Sequence, residues 1–599
     1  MRELISKLGY SKIAILFSLF FVYSAILLNQ KWKSNDIISN DMIFYYNYLP
    51  ATFIYHDITF SYLKNKLPDD IRRYSGALKT EDKKHYLSKM SCGAAIMLSP
   101  FFLTAKYLEI IADHVPNGYS STFSFFICLA TFFYLTIGLI FLRKVLLCFF
   151  EEATSAIVLT CLVLGTNIFM YSTYSFSNIH IYSFCLYSIF LWFSIQWHSK
   201  PTLKHSIYLG LILALIILVR PTDALIVIFP ILYGIKDSSS LKIQLRMVGD
   251  NKINVILIIL FLLIGLSPQL IIWKIQTGHW VYYSYQEQKL FLNNPHILKG
   301  LFSFRNGFFI YTPIMVFAVL GFIPTILRQS KFALSATIFV IINAYIIFSW
   351  WCWWYGGSYG MRAMIESYAV LALPFGIFIE SVSKTNNLSK YFLFSVFSLM
   401  ILLNLFQTRQ SMSNLIHYDS MTYKTYKKIW GRLSIPDGYM ETLSPPDYKN
   451  AVKGLPERDM TRTFPFMRDG LRSKVSIKSF DGKYVSTDST KSLMLIANRD
   501  SMKTWEKFNI TMYEFGKCDI LAFNGKYVSS DPTFPSILFG NRDASSYWEE
   551  FSIINLPNNK FALKGYNGKF VKPNPDNDYI LQAISDSLTE QETFIINPE

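Results

Sequence analysis

Long apolar runs separated by short basic loops fill the chain up to about residue 408, and a different pattern, short alternations of apolar and polar positions at a fixed period, begins near residue 471. A helix needs ~20 apolar residues to cross a bilayer's hydrocarbon. On that measure the runs predict spans at about 12–29, 121–142, 154–172, 179–197, 205–219, 221–235, 253–274, 308–327, 332–351, 364–382 and 390–407. One further run, 91–111, is interrupted by Pro100, Lys106 and Glu109. Loop charges decide its place. If it does not cross, the loops carrying Arg143 and Lys144, Lys200 and Lys204, Lys236 to Lys252, Arg328 and Lys331, and Lys384 and Lys390 all lie on the side of the basic N-terminus. If it crosses, the loops down to Lys252 change sides, against the excess of Lys and Arg in cytoplasmic loops. Eleven spans are therefore expected, with a cytoplasmic N-terminus and 91–111 folded back externally.

That orientation makes residues 30–120 an external loop, whose aromatic amphipathic pieces suit helices lying in the interface. Runs 205–219 and 221–235 are short for a bilayer and meet at Arg220-Pro221-Thr222-Asp223. Such a charged break is tolerated where it lines a protein cavity. The loops 275–307 and 350–362 return to the outside, and so does everything beyond 408. Residues 409–470 read as a polar connector with proline breakers, docked at the interface through Tyr423, Tyr426 and Trp430.

Residues 471–599 are an internal repeat. Phe480-Asp481-Gly482-Lys483-Tyr484-Val485 recurs at 523–528 and again, as Tyr-Asn-Gly-Lys-Phe-Val, at 566–571, each time 43 positions on. Asp-Gly and Asn-Gly between alternating apolar residues predict hairpins with type I′ turns. Phe508, Phe551 and Phe594 close a second strand pair in each repeat. Three four-stranded repeats of this size predict a β-trefoil. The expected fold is thus a multi-span α-helical membrane part over 1–408, a connector over 409–470 and an all-β domain over 471–599.

Composition agrees with the membrane class: 52% hydrophobic and 16% charged residues, with mean hydropathy +0.27. The net charge of +16 is spread over short loops and the C-terminal part, which follows the positive-inside bias and argues against a nucleic-acid partner. Of the seven cysteines only Cys518 lies beyond the hydrophobic part, so no disulfide framework is expected there. The basic start before the first run, with no small-residue cleavage site after it, reads as a retained anchor.

Candidate chemistry begins at Asp41 in Ser39-Asn40-Asp41-Met42, a carboxylate opening the external loop. Sugar transfer to a hydroxyl needs a base to take the acceptor's proton; a helix cap is the plainer use of the same residues. Asp36 and Asp57 are weaker candidates of the same type. Arg220, Arg362 and Arg305 are cations able to hold a donor's phosphate; Arg220 could equally be paired with Asp223 beside it. Gly356-Gly357 and the tryptophans at 350, 351, 353 and 354 form an external loop, as a sugar platform or as interfacial anchors. The substrate cleft is expected to include Tyr45, Tyr46, His180, Tyr311, Trp354 and Glu366. In the repeats, Asn498-Arg499-Asp500 recurs as Asn541-Arg542-Asp543 and departs to Ile584-Ser585-Asp586 in the third copy. An Arg and a following Trp (Trp505, Trp548) kept in only two repeats make Arg499, Asp500, Arg542 and Asp543 weak candidates for binding. No cluster has metal-ligand spacing, no cofactor is required, and a divalent metal is left open.

A first span, an external loop opening with an acidic residue, folded-back helices and a span ending Leu142-Arg143-Lys144 resemble the GT-C glycosyltransferases, among them the protein O-mannosyltransferases and the lipid A aminoarabinose transferase. The segment Tyr45 to Ala51 and the Gly-Gly-Ser-x-Gly-x-Arg loop Gly356 to Arg362 are similar to bacterial membrane proteins of this kind. The resemblance covers residues 1–410. It implies a polyprenyl-phosphate-sugar donor, a glycan, lipid or protein acceptor hydroxyl, inverting transfer at the outer face of a bacterial inner membrane, and the base role for Asp41. Where the family often has Asp-Glu, this chain has Asp41-Met42. The C-terminal repeats resemble fascin-like trefoils, without the Gln-x-Trp repeats of ricin-type lectins, and are expected to be an accessory extracytoplasmic binding domain. The competing readings are a transporter or flippase of lipid-linked sugars, which calls for inverted repeats of spans that the sequence does not show, and a non-catalytic glycan-binding receptor.

Overall fold

In a computed structural model the described residues are 9–34, 37–65, 77–79, 86–439, 442–457, 472–513, 517–530, 536–542, 548–557, 560–565 and 567–598. The chain divides into two compact units. The first comprises 1–436 and 446–457, the second 437–445 and 458–599.

The first unit is helical. Its main helices are α1 (Tyr10–Asn29), α2 (Asn40–Tyr46), α3 (Gly93–Ile111), α4 (Ser121–Leu146), α5 (Glu152–Leu164), α6 (His180–Ser199), α7 (Leu203–Val219), α8 (Lys252–Thr277), α9 (Ala333–Phe348), α10 (Tyr368–Ser383), α11 (Asn387–Met412) and α12 (Tyr423–Ile429). Among the described residues, by length and composition, five are able to cross a membrane: Tyr10–Lys33, which extends α1, then α3, α4, α8 and α11; six further apolar helices are shorter. Three runs expected as single spans are not continuous α-helices: 221–235 is a 3₁₀ stretch, Pro221–Val227, followed by Ile228–Leu232, and the other two are broken. Residues 154–172 divide into α5 and Ile168–Thr173, and 308–327 into Phe308–Tyr311, Met315–Leu320 and Phe322–Leu327. Pro313 and Pro324 lack the N–H that a continuous helix requires. Gly321 between them lies so close to the Pro374 carbonyl oxygen that a Cβ would be 2.0 Å from it.

At one end of the bundle Glu152 gathers three elements: it accepts from Ser11 N at 2.9 Å and pairs with Arg143 at 2.6 Å. Towards the opposite end, Tyr182 of α6 meets Thr131 of α4 at 3.1 Å. α3 starts there. Its Gly93 packs on the backbone of Leu218 and Val219 at the end of α7, Tyr134 donates to Met97 O at 2.7 Å, and Glu109 meets Ser120 before α4 begins. α3 therefore runs alongside the N-terminal half of α4, away from the end of α7. α8 is inverted relative to a water-soluble helix: its two buried residues are Gln269 and Gln276, whereas Ile253, Ile256, Ile259, Leu263 and Ile271 are exposed. The two glutamines bond inward, to Cys92 N and Ile58 O, each at 2.8 Å.

Among its described residues the second unit holds twelve strands: β1 (Arg472–Ser479), β2 (Tyr484–Asp488), β3 (Met494–Arg499), β4 (Lys507–Tyr513), β5 (Lys517–Ala522), β6 (Tyr527–Ser530), β7 (Leu538–Arg542), β8 (Phe551–Asn555), β9 (Lys560–Lys564), β10 (Phe570–Asn574), β11 (Ile580–Ser585) and β12 (Phe594–Pro598). The pairings β1–β4, β4–β5, β5–β8, β8–β9, β9–β12 and β12–β1 close a six-stranded ring. The hairpins β2–β3, β6–β7 and β10–β11 complete the three repeats, with β3 bridging both β7 and β11. This is the β-trefoil arrangement. Its core repeats every 43 positions, as in Val485, Val528 and Val571, or Phe508, Phe551 and Phe594, all buried. The hairpin turns differ from the expected type I′. Among the described residues of these turns only the glycine has positive φ, 82°, 75° and 76° at Gly482, Gly525 and Gly568. Gly482 N donates to Ser479 O at 2.9 Å, so Phe480 and Asp481 are the central pair and the glycine follows as a bulge. A bulky Phe at the first central position favours this three-residue loop, because β-carbon crowding opposes positive φ there. Asp481, Asn524 and Asn567 each accept from the backbone N–H two residues on, at 3.3, 3.1 and 3.0 Å.

Candidate functional site

Asp41 lies in the first turn of α2, after Asn40 at φ 50°. Its carboxylate meets Arg362 Nη2 at 2.8 Å, and the same guanidinium donates to Asn178 Oδ1. Arg362 begins a short 3₁₀ turn, Arg362–Met364, at the end of the Trp/Gly loop. Asn178 precedes α6. Three segments far apart in sequence thus converge on one ion pair. Its carboxylate side is about a third exposed (34%) and its guanidinium 12% exposed.

A second, deeper set adjoins it. Arg220, at the break after α7, pairs with Glu366 and lies 3.8 Å from Asp223. Glu366, whose side chain is 1% exposed, also faces His180 Nδ1 at 3.1 Å. Arg220 further donates to the Tyr355 hydroxyl at 3.3 Å and stacks over that ring. Tyr355 and Gly356 both have positive φ, 60° and 61°, so the loop turns sharply beneath the guanidinium. Both readings of Arg220 are met in part: Asp223 is a neighbour, but Glu366 is the nearer partner.

The surroundings set the electrostatics. Burial would raise the Asp41 carboxyl, but Arg362, and then Lys89, more than offset this and hold it below the usual carboxylate range. Burial pulls Lys89 down from the ordinary lysine value, with Asp41 opposing. Tyr45, on α2, is buried and lies within the field of Asp41, Arg220 and Arg362. Asp41, Arg362, Arg220, His180, Glu366 and Tyr45 therefore share one region. Asn178, Lys89 and Tyr355 join it without a local sequence signal.

The other candidates lie elsewhere. Tyr46 is buried against Phe102 and Tyr119 and donates to Gly118 O at 2.5 Å. Tyr311 donates to Phe304 O at 2.6 Å. Trp354 is fully buried, its indole N–H directed at the Tyr448 hydroxyl at 3.4 Å. Arg305 covers the Trp354 ring and pairs with Glu457 at 2.5 Å. Tyr46 thus ties α2 to the segment before α4, whereas Tyr311, which packs on Tyr359, Trp354 and Arg305 fasten the Trp loop to its supports. Asp57 accepts from Thr59 N and Tyr62 N at 3.1 and 2.9 Å, a local turn, and Asp36 lies outside the described residues. The cavity bordered by Tyr46, Leu98, Phe102 and Phe123 holds about 10 Å³ and is apolar, too small for a sugar. Among the described residues no group of three or more His, Cys, Asp or Glu is placed to hold a metal ion.

In the trefoil, Arg499 pairs with the buried Asp488 at 3.0 Å, and Arg542 stacks on Trp548. Asp500 pairs with Lys483, and the equivalent Asp586 pairs with Lys569 at 2.7 Å, so this contact belongs to the repeat. Asp543 lies outside the described residues.

No protein-family model matches the chain, and no curated protein is similar to it in sequence. Solved structures match over about a fifth of it. A designed threefold-symmetric protein, ThreeFoil, is 10% identical over 20% of this chain and 96% of its own, with TM-score 0.19. The BEL β-trefoil is 10% identical over 22% and 99%, with TM-score 0.20. SeviL, solved with the asialo-GM1 saccharide, is 14% identical over 21% and 98%, with TM-score 0.19.

Proposed function

We propose that the chain is a membrane-embedded, inverting glycosyltransferase of the GT-C kind, which moves a sugar from a polyprenyl-phosphate donor to an extracytoplasmic hydroxyl. The observation that carries this reading is the Asp41–Arg362 pair, which sets a partly exposed carboxylate beside a guanidinium at the mouth of an apolar helical bundle. Transfer needs both groups at one place: a base for the acceptor proton and a cation for the departing phosphate. Asp41 takes the proton. Arg362, with Lys89 nearby, meets the donor's phosphate. Arg220 is already engaged by Glu366 and Asp223, so its part is to hold the floor of the site and add positive potential. The inverted helix α8, apolar outward and polar inward, supports a lipid environment. The trefoil serves as an accessory domain for the acceptor.

The test is a donor screen with the purified full chain in nanodiscs, reading release of lipid phosphate from a panel of polyprenyl-phosphate sugars. At least one donor is expected to be consumed. Asp41→Asn should slow that reaction by ~10²-fold or more while donor binding persists. No release from any donor, or near-normal release by the variant, overturns the proposal.

A further inference from the structure

We propose that residues 423–436 form a docking ledge for anionic phospholipid headgroups; this rests on the reading that α11 spans a bilayer. The stretch contains Lys424, Lys427, Lys428 and Arg432, and no acidic residue occurs between Met421 and Pro436. These four cations line one concave surface together with Tyr423, Tyr426 and Trp430. None of them is paired with a carboxylate among the described residues. Large apolar side chains stand among them in the open: Tyr423 is 60% exposed, Trp430 59% and Leu433 58%. Cations interleaved with exposed aromatic and aliphatic side chains fit the headgroup layer, where charge meets phosphate and the rings enter the interface.

The placement agrees with the composition. Gln407 donates to the Tyr426 hydroxyl at 2.7 Å, and Gln410 donates to Ile429 O and Arg432 O, each at 2.8 Å. Both glutamines lie in the last turns of α11, a 26-residue apolar helix whose Leu388, Tyr391, Phe392, Leu399 and Leu402 are exposed. The ledge is therefore fastened at the level where that helix leaves its apolar stretch. On the expected orientation this is the non-cytoplasmic side, where four clustered cations run against the usual charge bias. An anionic headgroup gives them a partner there.

The experiment places a photo-crosslinking amino acid at Leu433, and in a second preparation at Leu399, in the full chain. Each is reconstituted into nanodiscs of phosphatidylcholine with phosphatidylglycerol as the minor lipid, and adducts are identified by mass spectrometry. At Leu433, phosphatidylglycerol adducts are expected to exceed that lipid's share by roughly fivefold or more. The combined Lys424→Gln, Lys427→Gln, Lys428→Gln and Arg432→Gln variant should lose this excess and leave adducts at Leu399 unchanged. Adducts at Leu433 in simple proportion to the lipids, adducts to protein alone, or none while Leu399 still labels acyl chains, overturn the ledge but not the span. An absence of lipid adducts at both positions overturns the membrane reading as well.

Discussion

Arg362 is shared by two acceptors, Asp41 and Asn178, drawn from 321 and 184 residues away. Because the folded-state pKa of Asp41 is depressed, its contribution to stability is present above the ordinary carboxylate value of 3.8 and is lost as the pH falls through the lowered one. The difference in thermal unfolding between the parent and Asp41→Asn should therefore shrink as the pH drops from about 5 to about 3; a difference that grows over that range contradicts the pairing. Glu366 carries a different burden, since it serves Arg220 and His180 together from a buried position. Glu366→Ala leaves a buried guanidinium short of its nearest partner and should destabilise the helical unit by ~3–5 kcal/mol, measured by unfolding in detergent. At this scale the sequence showed which residue types were out of place, Asp41 and Arg220 above all, and of their partners only Asp223, three positions from Arg220. Arg220 meets Glu366 across 146 positions, and no local pattern announces such a contact. Asn178 and Lys89 are ordinary residues until the fold brings them to the pair.

Helix α3 shows how an element can set a site that it does not line. Its Gly93 lies so close to α7 that a Cβ would come 2.3 Å from the Leu218 carbonyl carbon and 2.4 Å from Val219 N. Both are backbone atoms, one and two residues before Arg220. Gly93→Ala should force the two helices apart, cost ~1–3 kcal/mol and displace the Arg220 break, seen as a lower unfolding temperature together with slower lipid-phosphate release. Unchanged values of both would show that the contact relaxes freely. Apolar runs located the long apolar helices, because burial and lipid exposure both demand them, but not Ser238–Asp250, a helix in a stretch read as a basic loop. They did not show the interruptions at 154–172 and 308–327, which depend on prolines and on close packing with other helices. The hairpins were legible from Asp-Gly and Asn-Gly, whereas the turn type depended on the aromatic residue before them.

For the molecule as a whole, the trefoil has a hydrophobic core of its own, repeated three times. On the proposed function, deleting residues 471–599 should leave lipid-phosphate release close to that of the full chain and raise the acceptor concentration needed for half-maximal transfer; identical acceptor dependence would make the domain a structural appendage. The division into a helical and an all-β part was readable because the two obey different periods, one set by helix burial and the other by a 43-residue repeat. The repeat also fixed closure in advance, since three like units can bury their barrel only by meeting end to end.

That closure has a consequence for how the domain can be rearranged. β1 and β12 are paired neighbours, with Val475 opposite Pro598 and Ser479 opposite Phe594. Entry and exit of the all-β module therefore lie side by side, and the module behaves as a cassette that can be spliced into a chain at a single point. A circular permutant joining Pro598 to Arg472 through a short linker, and opened at the Asn524-Gly525 turn, should fold with the same ring of strands.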